Sequence, residues 1–535
     1  MKESFFKRIV VASLAVASLA SCTKKLDLAP TNDVTSVSVF STPAGYKQAL
    51  AKVYGSMALI GNSGPGSASD IPSQLVSDAG SSDFFRQFWY LQCLSTDEAG
   101  WTYHGNTDPI GIHQMSWSAA SQAVAGSYYR SFYVITLCNN FINESSDANL
   151  SKRAISGTDA DNVRRYRAEA RFIRAYHYWV LMDLFGNPPF VDESYVIGSG
   201  TLPKQISRRD LFAYIESELK AIDGDLAAPR TNEYGRADKA AAWSLLARIY
   251  LNAEVYSGTA RYVDAITYCN RVIGAGYTLH SKYKELMLAD NNLNTDEFIM
   301  AVNYDGTSTQ NYGGTTLLVH GPAGVTADTS GLNGTWNCIR MTQQFVDLFD
   351  AQDIRGQFYT SGQTKNMASL LDVPTDGYSS TKFRNKTRTG GKAPHVDAGN
   401  IFSDIDMPLF RLAEVYLIYA EATLRGGASS GGNQATALTY LQQLAARARP
   451  NDPNPNASVQ LALDYIIKER GRELFWEGFR RTDLIRYNQF TTGAYLWAWK
   501  GGVASGTAVD SKYNLYPIPS TDLSSNPNLV QNPGY

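Results

Sequence analysis

A mainly α-helical scaffold of tetratricopeptide-like helix pairs, broken by a large loop-rich insertion with short strands, is what this sequence predicts. Three observations lead there. Apolar residues recur at a period of 3.6 over long stretches. Glycine and proline stops separate those stretches, as Gly186-Asn187-Pro188-Pro189 does after Phe185. Between Tyr277 and Asp406 the periodicity fades into Gly, Asn, Thr, Asp and Tyr.

The elements follow in order. Residues 1–21 read as an address. Lys2, Lys7 and Arg8 precede an apolar run from Ile9 to Leu19, shorter than the ~20 residues a membrane-crossing helix needs. Leu19-Ala20-Ser21-Cys22 resembles a bacterial lipobox, so Cys22 is expected to carry lipid and to begin the mature chain. Thr23, where an Asp is associated with inner-membrane retention, points to the outer membrane. Residues 22–535 are then a single body.

Helical patterns span 46–59, 121–142, 164–185, 208–222, 238–256, 260–273, 409–424, 434–447 and 461–476. The 238–256 and 260–273 pair has a short joint and Ala or Gly at packing positions, the composition of a tetratricopeptide unit. Within the 277–406 insertion, 298–302 and 315–319 are β-prone. Residues 61–120 share the insertion's Gly- and Ser-rich texture but add many aromatics, and function is expected on these two irregular regions.

Composition narrows the chemistry. The 535 residues hold 48 Lys+Arg against 50 Asp+Glu, a net charge of −2, so no broad field attracts nucleic acid. Hydrophobic residues make up 44%, enough for a large core, and 32 Tyr and 9 Trp supply flat amphipathic faces suited to wet, polar ligands. Beyond Cys22, the cysteines Cys93, Cys138, Cys269 and Cys338 lie far apart without ligand spacing, and read as isolated buried thiols. The six histidines form no zinc pattern, and neither a phosphate-binding loop nor a G-x-S-x-G elbow occurs.

Glu469, Glu473 and Glu477 repeat every fourth residue along one helix. Such an array straddles a glycosidic bond poorly, and Arg470, Arg472, Arg480, Arg481 and Arg486 stand ready as ion-pair partners. The acidic loops 290–294 and 404–406 read as turns and helix caps. Trp117 and Trp179 belong to packing, whereas Tyr103 and Trp336 stand in polar Gly/Asn-rich loops that suit a ligand.

Five blocks in series, RRYRAEARFIRAYHYWVLMDLFGNPPF, GRADKAAAWSLLARIYLNAEVYSG, PLFRLAEVYLIYAEA, ERGRELFWEGFRRTDLIRY and YPIPSTDLSSNPNLVQNPGY, together with the lipobox, resemble the SusD/RagB family. The resemblance implies a cell-surface glycan-binding lipoprotein on a tetratricopeptide-like scaffold, non-enzymatic, lipid-anchored in the outer membrane and facing outward. It also implies a SusC-like TonB-dependent transporter as partner.

Segments 77–86, 95–106, 311–314 and 333–338 are most similar to the family's founding starch-binding member. By that similarity Tyr103, Tyr312 and Trp336 form an aromatic arc, with Trp101 beside it, and Asp78, Arg86 and Asn106 contact sugar hydroxyls. The implied ligand is an α-glucan, starch or maltooligosaccharide, with dextran as an alternative. One departure stands out: the founding pattern has Trp where this chain has Tyr103, and the stretch after Trp336 is shorter. The resemblance further implies a structural calcium ion on Asn292, Asn294, Asp404 and Asp406, with Asn292 replacing an acidic ligand; no other cofactor is required.

Overall fold

The computed structural model describes residues 36–196, 198–371 and 375–535. The expected leader and Cys22 lie outside the described residues. Among the described residues nine longer helices carry the body: α1 (Pro43–Ala58), α2 (Gln122–Glu144), α3 (Gly157–Phe185), α4 (Arg208–Ala221), α5 (Lys239–Leu251), α6 (Tyr262–Ile273), α7 (Leu412–Gly426), α8 (Gln434–Ala448) and α9 (Leu463–Leu474). No helix among the described residues is long and apolar enough to cross a membrane.

Local chemistry sets the helix starts. Thr42 caps α1 by accepting from the Gly45 N–H at 3.2 Å, with Pro43 at the first turn. Asp238 caps α5 by accepting from the Ala240 and Ala241 N–H groups at 2.8 and 3.1 Å. Asn433 does the same for α8 through Thr436. At the other end of α3, Gly186 turns the chain with φ 72°, a backbone state that glycine enters without steric cost.

Successive helices pack side by side, α2 on α3, α3 on α4, α5 on α6 and α7 on α8, as the helix-pair pattern predicts. Helices α6 and α7 also pack directly on each other although the whole insertion separates them in sequence. The scaffold is therefore continuous in space, and the insertion is a side structure built on it. The four cysteines beyond Cys22 are free and buried.

Strands are short and paired across long sequence distances: β1 (Gly100–Trp101), β2 (Phe298–Val302), β3 (Ile339–Arg340), β4 (Phe358–Tyr359), β5 (Ser379–Ser380) and β6 (Met407–Arg411). Each pair, β1–β3, β2–β6 and β4–β5, is antiparallel. The expected strand at 298–302 is β2. The expected strand at 315–319 is instead the short helix Gly314–His320: its β-branched residues are overridden by a glycine entry, with the Gly314 N–H held by Asp83 Oδ1 at 2.9 Å.

Two further boundaries differ from the sequence reading. The helix expected from 409 begins at Leu412, because Met407–Arg411 pairs with β2. The helix expected over 238–256 breaks at Asn252, whose side-chain amide donates to the Arg248 carbonyl at 2.9 Å and whose Oδ1 accepts from Arg486 at 2.7 Å.

Insertion and scaffold are riveted by a buried charge network. Arg411 reaches Glu297, Glu473 and Glu477 at 2.9, 2.6 and 2.7 Å. Arg355, from the insertion, reaches Asp353, Glu469 and Glu473 at 2.6, 2.7 and 3.0 Å. Arg447 and Lys382 complete it on Glu473 and Glu477. The three glutamates at four-residue spacing are thus structural, but of the five arginines expected as partners it is Arg472 that pairs with one of them, Glu469, at 2.6 Å. Arg470, Arg480, Arg481 and Arg486 reach Asp483, Asp97, Asp183 and Glu421 instead.

Candidate functional site

The expected site residues come from four segments, 77–86, 95–106, 311–314 and 333–338, that pairwise contacts link. Antiparallel β1–β3 pairing sets Trp101 opposite Ile339, and the Thr102 N–H donates to the Cys338 carbonyl at 2.9 Å. Tyr103 follows Thr102 and Trp336 precedes Cys338 by two residues, so both lie just beyond the same end of this antiparallel ladder. The 311–314 turn joins them through Asp83, which caps the helix Phe84–Trp89 by accepting from the Arg86 N–H at 2.6 Å and also accepts from Gly314.

The residue order N-Y-G-G explains that turn. Asn311 is buried and donates to the Ala58 carbonyl at the end of α1, which anchors the loop. Tyr312 projects outward. Gly313 lies so close to Asp83 that an added Cβ would fall 2.3 Å from its Cγ. Gly313→Ala is therefore expected to push the Tyr312 loop off Asp83. Glycan affinity should fall several-fold and the melting temperature should drop, both read on the purified variant.

Among the described residues the three most exposed aromatic side chains are Tyr103 at 51%, Tyr312 at 38% and Tyr234 at 37%. Two of these are expected site residues. In a chain whose other large rings are mostly buried, an aromatic left in water needs a reason. Tyr312 and Trp336 stand 6.3 Å apart between ring centroids with planes at 56°, and Phe402 backs Tyr312 at 5.4 Å. The two rings thus form a bent pair of plates, not a flat floor.

Three polar side chains are expected with these rings. Asp78 is exposed and caps the turn Ala79–Ser82, accepting from the Ser81 N–H and Oγ at 3.0 and 2.9 Å. Arg86 is half-buried, its guanidinium over the Tyr90 ring and its Nε donating to the Tyr90 hydroxyl at 3.1 Å. Burial pushes the Tyr90 phenol up to about 12, so it stays a neutral acceptor. Asn106 is half-buried and accepts from the Asp108 N–H at 3.3 Å.

Trp101 is a correction. It is 3% exposed, its ring meets Tyr90 edge-on at 5.5 Å, and its Nε1–H donates to the Tyr103 carbonyl at 3.1 Å. It braces the Tyr103 loop and offers no face to a ligand. The aromatics Phe84, Phe85, Phe88, Trp89 and Tyr90, expected in an irregular region, are likewise core, on a short helix and the π-turn Tyr90–Leu94.

The four side chains expected around calcium have different surroundings. Asn292 is exposed. Asn294 is spent on the Arg388 guanidinium, which reaches its Oδ1 at 3.0 Å, and on the Glu285 carbonyl. Asp404 accepts from the His395 N–H and faces its Nδ1 at 3.1 Å, while Asp406 accepts from the Tyr304 N–H at 2.8 Å. At Asn294, then, Arg388 already supplies positive charge, and it also binds Asp290. Among the described residues the His/Asp group whose ligand atoms converge is Asp305, His395 and Asp404, which shares one member with the expected set.

The site is an open face. A cleft of about 570 Å³, lined by Tyr129, Phe132, Val191, Tyr195 and Leu202 among others, contains none of the expected site residues. Sequence reading missed one part of the face: His320, which lies under Trp336 and gave no motif.

Against this geometry, the relatives are decisive. The SusD family model matches residues 351–535, and a second model, described as starch-binding and associating with the outer membrane, matches residues 26–251. The starch-binding protein SusD of Bacteroides thetaiotaomicron is 35% identical over the full length of both chains. The chain belongs to the SusD family. The fold agrees with solved SusD-like structures. The surface glycan-binding protein A from Bacteroides fluxus aligns with TM-score 0.68 and 22% identity, over 92% of this chain and 100% of that one. Its namesake from Bacteroides thetaiotaomicron, in complex with laminarihexaose, aligns at 0.68 and 19%, over 91% and 99%.

Proposed function

We infer that this SusD-family protein captures an α-glucan, starch or maltooligosaccharide, on the face formed by Tyr103, Tyr312 and Trp336. It hands the chain to a SusC-like TonB-dependent transporter, working at the outer surface of the outer membrane through a lipid on Cys22. The observation that carries the reading is the bent aromatic pair of exposed Tyr312 and half-buried Trp336, with exposed Tyr103 just past the β1 strand that pairs with β3.

Sugar rings offer apolar C–H faces and hydroxyl edges. Aromatic plates take the faces, and Asp78, Arg86 and Asn106 supply acceptors and donors for the edges. Plates inclined at 56° follow a glucan that curves from ring to ring better than one that runs straight. Full-length similarity to a starch-binding protein supports the same ligand class.

The role is capture without bond cleavage. Glu473, the carboxylate that most resembles a catalytic one, is buried and spent on Arg355, Arg411 and Arg447. A group so held keeps its charge and has no proton to give a leaving sugar.

One observation favours another glucan. Tyr103, by resemblance, stands where the founding pattern has Trp. Calorimetric titration of residues 23–535 with maltohexaose, isomaltohexaose and laminarihexaose separates the cases. Binding to maltohexaose in the range of about millimolar to micromolar Kd supports the α-1,4 assignment. Binding to either other sugar alone refutes that linkage.

A further inference from the structure

The ring beneath Trp336 is His320, the last residue of the helix Gly314–His320. It is 1% exposed and lies almost parallel to the indole, 5° between planes and 4.7 Å between centroids. Its Nδ1 is 2.7 Å from the Gly334 carbonyl oxygen and its Nε2 is 2.8 Å from that of Ile401. Those carbonyls belong to different segments. One carries Trp336, and the other carries Phe402, which backs Tyr312.

The two segments are laced together beside the ring. The Asn333 N–H and side-chain amide donate to the Asn400 and Gly399 carbonyls at 2.9 and 3.0 Å, and Asn400 donates back to Gly331 at 3.2 Å. The Trp336 N–H donates to the His320 carbonyl itself at 2.6 Å. His320 is thus the point where both halves of the aromatic face meet.

A neutral imidazole has one N–H, and its other nitrogen presents a lone pair. Two carbonyl oxygens at hydrogen-bond distance can both be satisfied only by the imidazolium. We propose that His320 is the positioning residue for the Trp336 plate, and that uptake of a proton completes its second hydrogen bond and tightens the aromatic face as pH falls. This rests on the reading of that face as the glycan site.

The charged and titratable surroundings are sparse. The helix Gly314–His320 contributes no other ionisable side chain. The 331–338 loop contributes Cys338, whose thiol burial pushes up to about 12 and so keeps neutral. The 397–402 segment contributes Asp397, which favours the imidazolium. The Tyr312 phenol lies beyond Trp336. Burial sets the His320 pKa below its ordinary value, against the pull of the Ile401 and Gly334 carbonyls.

The test needs no ligand in its first arm. Emission of the intact protein minus that of Trp336→Phe isolates Trp336, and a protonated imidazole stacked on an indole quenches it. The expected difference falls with pH through one titration below the usual histidine value of ~6.5, and is flat in His320→Gln. A pH-independent difference, or an unchanged titration in His320→Gln, overturns the proposal.

In the second arm His320→Ala should weaken maltohexaose binding about five- to tenfold, and His320→Gln less, with the pH dependence of binding gone. Undiminished affinity in both variants also overturns it. If the wild-type protein binds no glucan while Trp336 still titrates through His320, the proton-coupled clamp stands and the glycan reading falls.

Discussion

Trp336→Ala is expected to lower affinity for maltohexaose by roughly thirtyfold, about 2 kcal/mol, the cost of removing a central aromatic anchor. The indole is the plate on which the others depend. It stacks on His320, inclines toward Tyr312, and its loop neighbours Tyr103 through the β1–β3 register. Deleting it removes one sugar-stacking face and loosens the second. Tyr103→Ala, on a more exposed ring, should cost less, about three- to tenfold. Calorimetry on both variants checks the ranking; a larger loss at Tyr103 than at Trp336 contradicts it.

The second large effect is on stability. Glu473→Ala should destabilise the protein by about 3–5 kcal/mol, because it leaves the buried guanidinium network one carboxylate short. Arg355, Arg411 and Arg447 all lose a partner at once, and with them the tie between insertion and scaffold. The midpoint of urea unfolding reads this directly.

The same network sets an acid limit. Burial alone raises the Glu473 and Glu469 carboxyls, but arginines outweigh it: Arg447, Arg411 and Arg355 hold Glu473 well below the usual range, and Arg355 and Arg472 hold Glu469 at about 2. A depressed carboxylate contributes stability that is complete above its unfolded value of ~4.3 and is lost as pH falls toward the folded one. Unfolding midpoints should therefore decline between about pH 4.3 and 2 in the wild type. Glu473→Gln, already missing that charge, should show a shallower decline; an equal slope contradicts the assignment.

Much of the scaffold was legible because long amphipathic helices announce themselves through period, caps and stops, as Gly186 does after α3 and Asp238 before α5. The insertion was harder to read. Strands β2 and β6 pair across more than a hundred residues, so neither half signals the other. The helix Gly314–His320 hides behind β-branched residues, and its start depends on Asp83, a contact only the fold creates.

The site was legible in part for a related reason. Tyr103, Tyr312 and Trp336 sit in polar loops, where a large ring is conspicuous. Trp101 has the same local texture, yet β1–β3 pairing turns it inward onto Tyr90. His320 closes an apolar stretch and carries no motif; its role exists only through Trp336 above it and two carbonyls from distant segments. The partner of Asn294 is hidden from the sequence in the same way, since Arg388 comes to it from 94 residues away.

The aromatic face is proposed as an α-glucan site. Affinity electrophoresis of residues 23–535 through gels containing starch, dextran, levan or xylan tests this most directly, with Trp336→Ala alongside. Retardation by starch alone, abolished in the variant, is the predicted result. Retardation by another polysaccharide and not by starch, or equal retardation of the variant, contradicts it.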